Sequence, residues 1–169
     1  AFAARQPERV SAIVMIGGYA KGRAKRGNEH DAKLAEAFRA MMRAGWDDEY
    51  PSLRDLLAQT IVPGASEEDR RRFAEDMREM ISPENLGRYR EVLDNVDVME
   101  LLGEVRAPCL VAHCRHDRMQ PLKEGQRLAA ALPNARFVSY DSPNHLVPEN
   151  DPAWPLLERD VLNFLAEHS

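Results

Sequence analysis

Apolar and polar residues follow one pattern near the two ends of the chain and another in its middle. Near the ends, short apolar runs alternate with segments that are apolar on one helical face only. The predicted strands span residues 10–16, 108–113 and 136–140, and the predicted helices after the second and third strands span residues 122–132 and 152–167. Continuous apolar runs are typical of strands buried on both faces of a parallel sheet. The order of these elements therefore predicts an α/β fold with parallel strands and right-handed crossovers.

The middle of the chain, residues 31–102, shows helical spacing only. Ser66 precedes the acidic turn at residues 67–69, and Ser82 precedes Pro83, and both arrangements are typical of helix starts. The apolar positions that we expect on the buried faces of these helices are Leu34, Phe38, Met41, Met42, Phe73, Met77, Met80, Leu86, Tyr89, Val92 and Leu93. Four successive helices without a strand predict a compact helical insertion.

These patterns divide the chain into a core of residues 1–30 and 103–169 and a helical insertion of residues 31–102. The first strand is apolar along its length, so we expect it to have neighbours on both edges. Residues 1–5 read as the last turn of a helix without a cap, so we expect the chain to begin partway through a domain. The missing neighbour is expected upstream of Ala1 or in a second copy of the chain.

Composition narrows the class of protein. Hydrophobic residues make up 44% and charged residues 30%, which is typical of an ordinary globular protein. The formal net charge of −5 gives no reason to expect nucleic-acid binding. Cys109 and Cys114 lie too far apart on one predicted strand for a disulfide, and no second pair completes a zinc motif. We therefore expect a reducing cytoplasm, no metal and no cofactor, and no apolar run approaches the ~20 residues that cross a bilayer.

Two polar loops leave neighbouring predicted strands and carry the candidate chemistry. Asp117 follows the second strand, and His145 follows the third. Functional groups collect at the carboxyl ends of parallel strands, so we expect these two side chains to lie close in space. A carboxylate that holds an imidazole in one tautomer is the orienting half of a nucleophilic relay. A helix cap at Asp117 and a loop histidine with no chemical role are the plainer alternatives.

The pattern around these residues resembles the α/β-hydrolase superfamily. The resemblance rests on Asp117 after the second strand, on Asn144-His145 after the third, and on Gly17-Gly18 at the end of the first. Residues 82–85 and Pro152-Ala153-Trp154 are similar to one branch in particular. That branch comprises the hydrolase modules that are often fused to bacterial helix-turn-helix regulators or adenylate cyclases.

The resemblance implies that Asp117 is the acid and His145 the base of a Ser-His-Asp triad, and that residues 31–102 form a helical cap. The nucleophile elbow, Gly-x-Ser-x-Gly, does not occur in the sequence. In the family this elbow precedes the helix whose end residues 3–10 resemble. The serine and the oxyanion-hole donors are therefore expected upstream of Ala1, and the 169 residues are expected to be inactive by themselves.

Further residues near the two loops have weaker assignments. Met119 and Leu146 follow the acid and the base and are candidates to line the substrate pocket, with core packing as the alternative. Trp46 is a candidate for the same lining or for the core of the cap. Cys114 is expected to be a small apolar residue rather than a nucleophile, and His116 an exposed neighbour.

Two functions follow from this interpretation. The first is a serine hydrolase that acts on an ester, a lactone or a similar small carbonyl substrate. The second is a ligand-sensing or interaction module of a bacterial regulator, with the triad partly retained. An intact elbow in the upstream sequence would favour the first, and an attached DNA-binding or cyclase domain without an elbow would favour the second.

Overall fold

The computed structural model describes residues 1–27, 29–46 and 52–168. Three strands and a series of helices follow one another in the order that the hydrophobic pattern predicts. The elements are α1 (Phe2–Arg5), β1 (Ile13–Ile16), α2 (Glu29–Gly45), α3 (Ser52–Ile61), α4 (Glu67–Met80), α5 (Pro83–Asn95), α6 (Met99–Leu102), β2 (Cys109–Cys114), α7 (Leu122–Ala131), β3 (Ala135–Tyr140) and α8 (Trp154–Glu167). None of the helices in the described ranges is long and apolar enough to span a bilayer.

The strands form one parallel sheet in the order β1-β2-β3. Ile13 of β1 lies opposite Cys109 of β2, and Cys109 lies opposite Ala135 of β3. Every residue of β2 is buried. A parallel sheet is covered by helices, and this accounts for the continuous apolar run of its central strand. The predicted α/β fold with parallel strands is confirmed.

β1 differs from its prediction in length and in surroundings. The strand begins at Ile13 rather than at Val10, because a short 3₁₀ turn at Pro7–Arg9 ends at Val10. Within the described residues β1 pairs with β2 only, so it lies at an edge of the sheet. Its residues are partly buried, and Ile16 is 44% exposed. The second neighbour expected for this strand, upstream of Ala1 or in a second copy of the chain, stays a prediction.

Side chains of β2 alternate between two apolar clusters, one on each face of the sheet. Cys109 and Val111 belong to a cluster with residues of α6 and α7, with α1 packed against it. Ala112 and Cys114 belong to a second cluster, which includes residues of β3, of the loop that follows it and of α8. Helices therefore cover both faces of this part of the sheet. The helix predicted at residues 152–167 is present as α8, and its buried residues are Leu157 and Phe164.

The chain divides into two compact units, one of residues 1–20 and 98–169 and one of residues 21–97. The first contains the sheet, and the second contains α2 to α5. Both predicted helix starts are present, since the hydroxyl oxygens of Ser66 and Ser82 accept hydrogen bonds from the backbone N–H groups of Asp69 and Asn85. These bonds satisfy N–H groups that have no partner within the helix.

The buried face of α5 was predicted only in part. Leu86 is buried as expected, but Tyr89 is 55% and Val92 67% exposed. The buried face instead includes Arg90 and Asp94, which form an ion pair at 2.7 Å. A prediction from apolar spacing assumes that charged residues are exposed. Because Arg90 and Asp94 are buried as an ion pair, the observed buried face of α5 differs from the predicted one. Met80, also expected inside, is 81% exposed at the end of α4.

Gly22 is required by its contact with the end of α5. A Cβ at this position would lie 2.2 Å from the carbonyl oxygen of Leu93. We predict that Gly22→Ala lowers the free energy of unfolding by about 1–3 kcal/mol, because the obstructing atoms belong to backbone that cannot move aside. Gly103→Ala is the matched control, since nothing lies within 4 Å of its added Cβ. Urea denaturation followed by circular dichroism measures both, and equal midpoints for the two variants would contradict this packing.

Candidate active site

The loop that leaves β2 is built around the carboxylate of Asp117. One oxygen, Oδ1, accepts hydrogen bonds from the backbone N–H groups of Met119 at 2.7 Å and Gln120 at 2.9 Å. An aspartate that bonds to backbone N–H groups two and three residues later is a standard way of closing a tight turn. The side chain of Asp117 is fully buried. Its second oxygen, Oδ2, is thereby held in one orientation.

That second oxygen lies 2.7 Å from Nδ1 of His145. A carboxylate can only accept, so the ring N–H at Nδ1 donates, and a neutral imidazole then keeps Nε2 as an acceptor. The His145 side chain is 21% exposed. The structure therefore brings together the two residues that the sequence nominated, in the tautomer that a general base requires.

Backbone hydrogen bonds keep the two loops side by side beyond the ends of their strands. The N–H of Arg115 donates to the carbonyl oxygen of Tyr140 at 2.9 Å, and that of His116 donates to Ser142 at 3.2 Å. The ladder between β2 and β3 thus continues into the loops that carry the acid and the base. The register of the sheet determines where Asp117 and His145 meet.

The end of β1 supplies the surface beneath the histidine ring. Gly17 has a φ of 63°, and an added Cβ would lie 2.6 Å from Cε1 of His145. Glycine is the residue that adopts this conformation without strain, and only its lack of a side chain allows the ring to approach so closely. All three strands therefore end at the candidate site.

Relatives of the chain are described as hydrolases. No protein-family model matches it. The protein named “Putative carbamate hydrolase RutD”, from Pseudomonas savastanoi pv. phaseolicola, is 26% identical over 167 residues, which are 95% of this chain and 60% of that protein. The uncharacterized hydrolase YugF of Bacillus subtilis is 35% identical over 66 residues, which are 39% of this chain and 23% of that protein. The chain thus spans about 60% of the length of the relative that it matches along most of its own length.

Solved structures agree in fold. An alpha/beta hydrolase enzyme from a Medee basin deep-sea metagenome library has a TM-score of 0.74 at 18% identity, over 98% of this chain and 59% of that one. The chain has the α/β-hydrolase fold. The enol-lactonase from Burkholderia xenovorans has a TM-score of 0.75 at 19% identity, and the match covers 98% of this chain and 60% of the lactonase chain. The bromoperoxidase from Bacillus anthracis has a TM-score of 0.74 at 20% identity, and the match covers 94% of this chain and 59% of the bromoperoxidase chain.

His113 lies next to the candidate acid; the sequence indicates packing at the end of a strand for it and no part in the chemistry. It is buried in β2, and its Nε2 lies 2.9 Å from the carbonyl oxygen of Gln120 and 3.6 Å from Oδ2 of Asp117. Its Nδ1 is buried without a hydrogen-bond partner, against Gly125, where an added Cβ would lie 2.5 Å away. His113 therefore packs behind the acid and holds its turn. In the sequence, the feature that could have indicated His113 is a histidine inside an otherwise apolar predicted strand.

The other nominated residues lie in different surroundings. The backbone of Met119 is part of the Asp117 turn, and its side chain is partly exposed. Leu146, next to His145, is 47% exposed. Trp46 is buried in the helical unit, where its indole N–H donates to the carbonyl oxygen of Ile81 at 2.9 Å. His116 is exposed and pairs with Asp141 at 3.1 Å. In the described ranges no group of three or more His, Cys, Asp or Glu side chains is arranged to hold a metal.

Two serines and a cysteine near the candidate site are poorly placed to act as nucleophiles. The hydroxyl of Ser142 is buried and donates to Asp151 at 2.7 Å, and that of Ser139 accepts from Arg115 at 3.2 Å. Burial raises the pKa of the Cys114 thiol from 9.0 to about 11. A thiol that stays protonated at neutral pH is a poor nucleophile. Cys114 is therefore a packing residue, as expected.

We predict that both cysteines are unreactive in the folded chain. Cys109 and Cys114 are free, buried thiols, and burial raises the pKa of each. At pH 8 a disulfide reagent such as DTNB should therefore modify neither thiol until urea unfolds the chain, and then modify both. Cys114→Ala, which should show one reactive thiol after unfolding, calibrates the assay. Rapid labelling of a native thiol would contradict the burial.

The same shift predicts a loss of stability at alkaline pH. Between pH 9 and pH 11 the unfolded state loses the proton of the Cys114 thiol, while the folded state retains it. The folded state then binds more protons than the unfolded one, so its stability falls as pH rises through this window, by up to about 1.4 kcal/mol per pH unit for each such group. Urea midpoints measured from pH 8 to pH 11 should decline, and Cys114→Ala should decline less steeply. Parallel curves for the two chains would count against the shift.

Proposed function

We propose that the chain is the C-terminal part of a serine hydrolase that transfers an acyl group to water, with His145 as the base and Asp117 as the orienting acid. The observation that carries the proposal is the 2.7 Å contact between His145 Nδ1 and Asp117 Oδ2 at the carboxyl ends of β2 and β3. A carboxylate and an imidazole arranged in this way can remove a proton from a nucleophile and return it.

In the proposed reaction a serine hydroxyl attacks the carbonyl carbon of the substrate while Nε2 of His145 accepts its proton. The tetrahedral intermediate collapses when the same nitrogen protonates the leaving group, and this leaves an acyl-enzyme. Water then repeats the two steps and releases the acid product. Throughout, Asp117 accepts a hydrogen bond from the Nδ1–H group, which stays on the ring, and stabilises the imidazolium that forms when Nε2 takes up a proton.

The serine itself is proposed to lie outside these 169 residues, in an upstream part of the same hydrolase domain. Two observations support this: the sequence contains no Gly-x-Ser-x-Gly, and the chain spans about 60% of its curated relative. The same segment would supply the oxyanion donors, each worth about 3–4 kcal/mol of barrier. It would also pair with β1, whose outer edge has no partner among the described residues. A second copy of the chain is the alternative occupant of that edge.

The helical unit is proposed to be a cap, inserted in the chain between β1 and α6. Met119 and Leu146 are proposed to line the substrate site, because they flank the acid and the base and are partly exposed. Trp46 retains both of its interpretations. The proposed substrate is a small carbonyl compound such as an ester or a lactone. The carbamate and enol-lactone in the names of two relatives are both acyl substrates.

We predict that turnover of p-nitrophenyl acetate by the complete protein requires both residues. In that protein, kcat should fall by about 10⁴-fold for Asp117→Asn and by at least as much for His145→Ala, because the first loses the correct tautomer and the second the base. His116→Ala is the matched control, since its exposed ring pairs with Asp141 and should leave kcat unchanged. The isolated 169 residues should show no turnover.

Two results would contradict the proposal. One is turnover by the isolated chain that depends on His145, which would place the nucleophile inside these residues. The other is full activity of His145→Ala in the complete protein. Saturable binding of a carbonyl ligand without any turnover would favour the sensory function instead.

A further inference from the structure

The loop that carries His145 lacks regular secondary structure between Asp141 and Asp151. A polar cluster in the interior holds it instead. Ser142, Asn144 and Asp151 are all buried, with relative exposures of 2%, 1% and 8%. Asn144 immediately precedes the base, so whatever holds its side chain also holds the backbone of His145.

The carboxylate of Asp151 is the centre of this cluster. Its Oδ2 accepts from the hydroxyl of Ser142 at 2.7 Å and from Nδ2 of Asn144 at 2.6 Å, and its Oδ1 accepts from the backbone N–H of Ala153 at 2.7 Å. The N–H of Asn144 in turn donates to the oxygen of Ser142 at 3.1 Å. One carboxylate thus joins the start of the loop, the residue before the base and Ala153, the N-cap residue of α8.

Among the residues that the structure describes, the donors to Asp151 are a hydroxyl, a side-chain amide and a backbone N–H, and all are neutral. A buried carboxylate without a counter-ion is costly unless hydrogen bonds replace its hydration. Short bonds to a charged acceptor are also stronger than neutral ones. An apolar contact could close the same loop but could not fix it in this directional way. The presence of the charge at this position therefore points to a requirement for orientation.

We infer that Asp151 is a positioning residue for His145: its carboxylate fixes Ser142 and Asn144 and thereby presents the imidazole to Asp117. The inference rests on the proposed function in one respect, that His145 is the base. The hydrogen bonds of Asp151 go to Ser142, Asn144 and Ala153 and not to the imidazole–carboxylate contact itself. Its effect passes through the loop.

Asp151→Asn tests the directional claim with little change in shape. The amide has one acceptor oxygen and one donor nitrogen, so it can satisfy the N–H of Ala153 but turns an NH₂ group toward donors of Asn144 and Ser142. The double variant Asn144→Asp with Asp151→Asn exchanges donor and acceptor and restores an amide–carboxylate hydrogen bond. Ser142→Ala is a milder variant that removes one donor and leaves the carboxylate in place.

The readout is the ring proton at Nδ1 of His145, followed by proton and nitrogen NMR of the complete protein. In the unaltered protein this proton should give a strongly downfield signal, since it is bonded to a carboxylate. In Asp151→Asn its exchange with water should accelerate at least about tenfold, as expected when a hydrogen bond to a charged group is lost. Ser142→Ala should accelerate it less, and the exchanged double variant should largely restore the slow rate.

Asp160→Asn is the matched control. Its carboxylate lies in the same unit and accepts a hydroxyl hydrogen bond from Tyr140 at 3.1 Å. The control should leave the His145 signal unchanged. An unchanged signal in Asp151→Asn, or a double variant no better than Asp151→Asn, would overturn the inference.

The spectrum separates failure of this inference from failure of the proposed function. If the unaltered protein shows the bonded proton but hydrolyses no ester, the hydrolase proposal fails while the positioning claim is still decided by the variants. If Asp151→Asn does not fold, Ser142→Ala decides it, because an unchanged exchange rate in that variant would contradict the network.

Discussion

A hydrogen bond between two loops organises this part of the hydrolase fold. His145 Nδ1 donates to Asp117 Oδ2 over 2.7 Å, and neighbouring backbone holds each partner in place for that contact. The acid is fixed by two backbone N–H groups, and the base rests over Gly17 at the end of β1. The carboxyl ends of all three parallel strands lie at one edge of the sheet. The loops that follow β2 and β3 therefore bring Asp117 and His145 into contact.

Two buried aspartates show two ways of keeping a charge inside. Asp94 of the helical unit pairs with Arg90 at 2.7 Å and Arg39 at 3.2 Å. Asp151 accepts hydrogen bonds from neutral donors in the described part of the chain. Ion pairs compensate charge, but long arginine side chains carry rotational freedom. Hydrogen bonds from short neutral groups compensate less of the charge, but they fix the orientation of the carboxylate and of the groups bonded to it. The directional arrangement lies next to the candidate base, where orientation matters most.

The fold and the acid–base pair were accessible from the sequence because both depend on patterns that local physics enforces. Continuous apolar runs predicted parallel strands, and strand exits predicted that Asp117 and His145 would meet. The helix starts at Ser66 and Ser82 were equally visible, since capping is a local interaction.

The remaining features depend on pairings that no local pattern records. Charged residues such as Arg90 and Asp94 are expected at the surface unless their ion pair is known. For this reason Tyr89 and Val92 were wrongly predicted to be buried. His113 is hidden inside a strand whose apolar neighbours dominate the pattern. Asp151 lies in a loop without periodicity, and its role becomes visible only once Ser142 and Asn144 are seen to share its carboxylate.

The most direct test of the account is a double-mutant cycle between the acid and the base. Asp117→Ala, His145→Ala and the double variant would be compared with the unaltered chain by urea unfolding at pH 7. A hydrogen bond to a buried carboxylate predicts a coupling energy of about 1.5–3 kcal/mol. Additive effects, within about 0.5 kcal/mol, would show that the two side chains do not interact and would contradict the account.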